Sequence, residues 1–237
     1  MRLTPDEMIV FQLGPLAING TIFFSWIVMA VLVVGAWLIT RLIRPDTGLT
    51  PGQNLLEVIV STIRNQIKEI GGERPELYIP FIGTLFLFIV TCNIMEVIPY
   101  FHAPTASLST TAALAICVFV AVPIYGISKR GLGSYLRQYL EPTPLMLPFH
   151  VISEFSRTLA LAVRLFGNMM SNSMIIAILI SVAPLFFPVA MSLLALLTGV
   201  VQAYIFAVLA MVYIASATRA QRGAPHEGDE DEDESVA

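Results

Sequence analysis

The stretch HVISEFSRTLALAVRLFGNMMSN, His150 to Asn172, sets two arginines, a glutamate, a histidine and an asparagine into otherwise apolar sequence. At about 100° per residue, a helix puts His150, Glu154, Arg157, Arg164 and Asn168 on one face. An arginine in hydrocarbon costs roughly 2.5 to 3.5 kcal/mol on insertion scales, so such residues face a partner or a wet cavity and usually mark an ion pathway. Arg164 is the sharpest case, because its guanidinium cannot deprotonate and stays a fixed positive charge. Pairing within the helix is a poor alternative: Glu154 lies ten residues away, about 15 Å along the axis. Snorkelling is disfavoured by its place midway along the apolar run. The counter-charge is expected from another chain.

The remaining polar residues each carry two readings. Arg157 has Ser153 and Glu154 within one turn and can be satisfied locally, which makes it structural as readily as functional. His150 and Glu154, four apart, can relay protons, or can simply form a wet helix end. Glu96, with Asn93 one turn earlier, can line an opening on the opposite side or sit as a headgroup-level carboxylate. Gln202 can face Arg164 and hydrogen-bond it without neutralising it, or act as interhelical glue. A Gly-rich phosphate loop, a Ser/His/Asp arrangement, an HExxH motif and a cysteine cluster are all missing from the sequence, so soluble-type catalysis, a metal centre and a cofactor are not expected. Polar residues entering from opposite faces, offset along the membrane and separated by one permanent cation, describe two half-channels.

The elements that position these groups are membrane helices. Of 237 residues, 56% are hydrophobic and only 13% charged, outside the range of soluble domains and typical of a polytopic membrane protein. Met1 to Gly20, with Pro5, Gly14, Pro15 and Gly20, suits a short irregular or interfacial leader. Asp6 and Glu7 precede the first apolar run, which lacks a small-residue cleavage pattern and is expected to stay as an anchor. Spans are expected over Ile22 to Leu42, Tyr78 to Ile98 and Ala112 to Ile127. Between the first two, NLLEVIVSTIRNQIKEI reads as an amphipathic interfacial helix, Asn54 to Ile70. The organising helix runs from about Pro148 to Ala183, about 54 Å if helical throughout, too long to cross upright. It must break near Gly167 or tilt steeply. Val189 to Thr218 is a last helix, also over-long at about 45 Å. The fold expected is all-α, with about five membrane helices and one interfacial helix, the last two long and strongly tilted.

Seven of the seventeen acids fall in the last eleven residues, so the body carries thirteen cations against ten acids, a net of +3. Residues 1–220 are expected as one membrane domain, with 221–237 a disordered acidic tail. Arg41, Arg44, Arg64, Lys68 and Arg74 follow the first span, Lys129, Arg130 and Arg137 follow the third, and Arg219 and Arg222 end the last. The alternate loops hold none. The positive-inside rule then puts the N-terminus outside and the C-terminus in the cytoplasm. Cys92 and Cys117 lie in apolar runs and read as small core hydrophobes.

At RLFGNM, Arg164 to Met169, with Gln202 in VQAYIFAVLAMVYI, the chain resembles subunit a of the rotary F-type ATP synthases, the membrane stator beside the c-ring. The likeness covers most of Tyr78 to Ala217, with NIMEVIP similar to the family's Asn-x-x-acid-x-x-Pro segment and ISEFSR matching its approach to the arginine. The resemblance implies that Arg164 is the stator charge, attracting the carboxylate of each passing c-subunit and blocking a leak between half-channels. Gln202 would support it and Asn168 would line the path. Glu154 and Ser153, with His150 where many relatives have a glutamate, would belong to the cytoplasmic half-channel; Asn93 and Glu96 would belong to the outer one. The tilt of both long helices against the ring is implied as well. So are a bacterial inner-membrane location and the partners: the c-ring, peripheral-stalk subunit b and membrane lipid, with no nucleic acid.

The chain departs from the family where many members have a glutamate, here Ser173, and a histidine, here Ala195. The outer half-channel must then lean on Glu96, Asn93, Asn172 or water. These departures resemble the divergent N-type ATPases, and the ion expected is the proton, with sodium as the alternative. A secondary transporter is a lesser reading, disfavoured because the halves show no obvious repeat. An intramembrane enzyme would need an inward nucleophile or metal ligands that the sequence lacks.

Overall fold

The computed structural model describes residues 9–13, 16–42, 51–71, 75–98, 101–130, 147–182 and 187–219. The acidic tail, the boundary at residue 220, Arg44, Arg74, Arg137 and Arg222 lie outside the described residues, as do the side chains of Lys129, Arg130, His150 and Arg219. Among the described residues six α-helices carry the fold: α1 Gly20–Leu42, α2 Pro51–Gly71, α3 Ile79–Glu96, α4 Leu108–Arg130, α5 Leu147–Val182 and α6 Phe187–Arg219. Pro80, Pro148 and Pro188 each occupy the second position of a helix, where the missing N–H has no intrahelical partner to lose.

All of these helices except α2 are long and apolar enough to cross a membrane, as the hydropathy pattern predicts. In α2, Glu57, Arg64, Lys68 and Glu69 are exposed while Ile67 is buried, the segregation of an amphipathic helix. Its apolar edge packs on α3 and α6. The Tyr204 hydroxyl lies 3.0 Å from Gln66 Oε1, and Arg64 pairs with Glu76 at 3.1 Å. That exposed ion pair contributes under about 1 kcal/mol, so apolar burial holds α2 in place.

One expectation is corrected at the N-terminus. Ile9–Leu13 (β1) and Leu16–Asn19 (β2) pair antiparallel, with a register irregularity between Ile9 and Phe11. Ile9, Val10 and Phe11 are good strand formers and Gly14-Pro15 is a turn signal, which is compatible with this hairpin. Cys117 is a second correction: it is exposed on α4, whereas Cys92 is buried in α3.

α5 is one unbroken helix of 36 residues that runs through Gly167. A Cβ at Gly167 would meet nothing within 4 Å, so this glycine neither breaks the helix nor serves a close approach. Of the two sequence readings, break or inclination, the unbroken helix removes the break near Gly167.

The centre of the bundle is α6, which packs on α2, α3, α4 and α5. Ala203, Ala207 and Ala210 are buried along it, and small residues let helix backbones approach closely where no hydrophobic effect drives association. Phe206, Met211 and Ile214 fill the remaining space against Ile82 and Ile89 of α3, Val118 and Val122 of α4, and Leu161, Leu165 and Met169 of α5. Ala210 is 0% exposed, so Ala210→Leu should overpack the seam and destabilise the purified subunit by roughly 1 to 3 kcal/mol. The check is its thermal midpoint in detergent. Leu197→Ala, at a site 65% exposed, should change stability by less than about 0.5 kcal/mol.

Candidate functional site

Arg164 stands at the middle of α5, with seventeen helical residues before it and eighteen after. It is exposed on the isolated chain, and among the described residues it has no ion pair or hydrogen bond. Leu159 and Val163 beside it are each 52% exposed. Leu197 and Val201 are likewise exposed on α6. An unpaired guanidinium therefore sits on an apolar surface at mid-helix, where lipid offers it nothing and an incoming carboxylate offers about 4 kcal/mol at 4 Å for an effective dielectric constant of 20.

One turn further along α5, Asn168 Nδ2 donates to Gln202 Oε1 at 2.8 Å. Gln202 is 3% exposed. The sequence reading set Gln202 against Arg164; its amide takes Asn168 instead. The physical reason is that two carboxamides facing each other across α5 and α6 can pair donor to acceptor, while the guanidinium lies on the exposed edge. Asn168 itself lies four residues after Arg164 on the same helix. The Gln202 Nε2 group has no protein partner among the described residues.

A second polar cluster lies where α3 ends. Ser173 Oγ donates to Glu96 Oε1 at 2.7 Å, joining α5 to α3. Both line a cavity of about 530 Å³ together with His102, Ser192 and apolar residues of α5 and α6. His102 comes from the segment before the short 3-10 turn Pro104–Ala106, with its ring 6.2 Å from that of Phe24. Its Nδ1 is buried without a hydrogen-bond partner among the described residues. Asn172 does not line this cavity; its neighbour Ser173 does, because one residue of helix rotates a side chain by about 100°. Asn93, 3% exposed, is also absent from the lining and faces α6 at Gly199.

The third group lies on the other side of Arg164. Glu154 is half-buried and Ser153 exposed. Thr158 Oγ1 donates to the Glu154 carbonyl at 3.0 Å. The Arg157 guanidinium sits over the Tyr213 ring at 5.8 Å, a cation–π contact that supports its structural reading. Glu154 and Ser173 flank Arg164 at ten and nine residues, about 15 and 13 Å along the helix. The acid–hydroxyl pair and His102 were not assembled from sequence. The available signal was a lone histidine just beyond an apolar run that ends in a carboxylate.

Residues 22–215 match the family described as ATP synthase A chain. The chain is 60% identical over 219 residues to a protein of Acaryochloris marina named ATP synthase subunit a 2, covering 92% of this chain and 94% of that one. It is 57% identical over 229 residues to ATP synthase subunit a of Albidiferax ferrireducens, covering 97% and 99%. To ATP synthase subunit a 1 of Chlorobaculum parvum it is 58% identical over 221 residues, covering 92% and 97%.

The Asn168–Gln202 pair makes a stability test. Asn168→Leu would leave the buried Gln202 amide without a protein partner at either end and should destabilise the purified subunit by roughly 1 to 3 kcal/mol. Adding Gln202→Leu should recover much of that loss, and a denaturation double-mutant cycle would reveal the coupling.

Proposed function

The chain belongs to the ATP synthase A chain family, membrane subunits of the rotary enzyme and not its catalytic ones, and from that premise we propose that it is the ion-translocating stator, with Arg164 as its fixed charge. The observation that carries this reading is one unneutralised guanidinium at the midpoint of α5, with polar groups displaced along the helix to either side. It is a multi-pass protein of the bacterial inner membrane.

In the proposed mechanism, the exposed face of α5 and α6 receives a ring of c-subunit helices, each carrying a carboxyl group. A protonated carboxyl crosses lipid cheaply, whereas an ionised one does not. Reaching Arg164, a carboxyl gains about 4 kcal/mol when it ionises. At about 1.4 kcal/mol per pKa unit, this lowers its pKa by about three units and expels the proton. Because Arg164 holds its charge at all accessible pH, no proton passes it directly between the two sides.

Glu96, Ser173 and His102, with Asn93 behind them, form the outer access route. His150, Ser153 and Glu154 form the cytoplasmic one. Gln202 and Asn168 hold the polar surface beside the arginine. The lysines and arginines at and beyond the C-terminal ends of α1, α4 and α6 support, by the positive-inside rule, an N-terminus outside and a C-terminus in the cytoplasm. Subunit b of the peripheral stalk and lipid cover surface away from the ring. The proton is the ion we propose, since Glu96 and His102 bring two titratable groups into the outer cavity.

Arg164→Ala should abolish ion-coupled ATP synthesis in proteoliposomes while the complex still assembles; wild-type coupling in that variant would remove the mechanism. Glu96→Gln should slow translocation from the outer side by roughly tenfold or more, the scale of a lost proton-transfer group. An unchanged rate would return Glu96 to a structural role. ATP-driven pumping measured with and without sodium, at several pH values, identifies the ion. Sodium-independent acidification is expected, and a strict sodium requirement would assign sodium instead.

A further inference from the structure

Between the Glu96 cavity and the Asn168–Gln202 pair, one contact is tighter than any ordinary side chain allows. A Cβ built on Gly199 of α6 would lie 2.7 Å from Asn93 Cγ and 2.7 Å from its Nδ2. Gly199 is thus a notch that receives the Asn93 carboxamide. Interhelical packing alone would bond that amide, as asparagine in a membrane seam normally does. Yet Asn93 is 3% exposed, and neither Nδ2 nor Oδ1 has a hydrogen-bond partner among the described residues. Gln202 Nε2, three residues along α6 from Gly199, is in the same condition.

These positions form a sequence of short steps. Glu96 and Asn93 are one turn apart on α3, about 4.5 Å along the axis. Gly199, against which Asn93 rests, is one turn from Gln202, again about 4.5 Å. One water molecule accepting from one group and donating to another spans roughly 5 to 6 Å. Buried amides that lack protein partners are the usual hosts of such waters. Gln202 in turn holds Asn168, and Asn168 shares its face with Arg164.

We propose that Gly199 is a positioning residue for ion translocation: it seats the Asn93 carboxamide so that the amide binds water linking the Glu96 cavity to Gln202. The inference rests on the outer access route proposed above and adds its narrowest point. Gly199 acts only through Asn93, by leaving out a methyl group where the amide must lie.

The test uses the complete ATP synthase in proteoliposomes, measuring ATP-driven proton uptake and, after removal of the catalytic sector, passive proton conduction. Gly199→Ala should slow both by roughly tenfold, since displacing an ordered water forfeits its bonds. Asn93→Ala should slow them to a similar degree. In the double variant Gly199→Ala should add nothing, because no amide remains to be displaced. Asn93→Ser, which keeps a water-binding group, should conduct severalfold better than Asn93→Ala.

A wild-type rate in Gly199→Ala overturns the proposal, as does an equal further loss when it is added to Asn93→Ala. Should the Gly199→Ala complex fail to assemble, the Ser and Ala variants of Asn93 decide, and equal rates in those two reject the water site. Arg164→Ala is run alongside. Normal coupling there defeats the stator reading itself, whereas a blocked Arg164→Ala with unaffected Gly199 and Asn93 variants defeats only this inference.

Discussion

A guanidinium held halfway along an apolar helix cannot shed its charge, and Arg164 has no ion pair among the described residues. Much of the arrangement follows from that constraint. Arg164 is exposed at the edge of α5, while Leu161, Leu165 and Met169 on its inner face are buried. In the proposed mechanism, neutralising it internally would remove the attraction that a mobile carboxylate feels. Asn168, one turn along the helix, and its partner Gln202 are carboxamides, which can bond and solvate without carrying an opposing charge.

The second organising feature is steric. α6 serves as a common wall for α2, α3, α4 and α5, and its small residues set how closely those helices come. Ala203, Ala207 and Ala210 give apolar contact, and Gly199 gives room for one amide. Gln202 lies in the same row, so the helix that packs the bundle also carries the polar groups between its two ends. Core packing and the proposed ion route are therefore mechanically linked, and rigid seating of α6 keeps Gln202 within reach of Asn168.

The cavity at Glu96 is built from groups far apart in the chain. Ser173 supplies no charge. It does supply a donor to Glu96 from α3, while His102 enters from the segment after that helix. The carboxylate and imidazole come from different elements, yet they share one cavity.

The spans, the amphipathic helix and the place of Arg164 midway along an apolar helix were legible in the sequence, because hydropathy and charge pattern are properties of short windows. The family was legible for the same reason, its signature being contiguous at RLFGNM. The hairpin was not, since two strands of five and four residues carry weak periodicity. Whether α5 broke at Gly167 required coordinates, because a glycine is compatible with either outcome. Pairings between helices were decided by tertiary structure alone. Asn168 meets Gln202 across 34 residues and Ser173 meets Glu96 across 77, and such meetings depend on the rotation and axial register of packed helices, where one residue turns a side chain by about 100°.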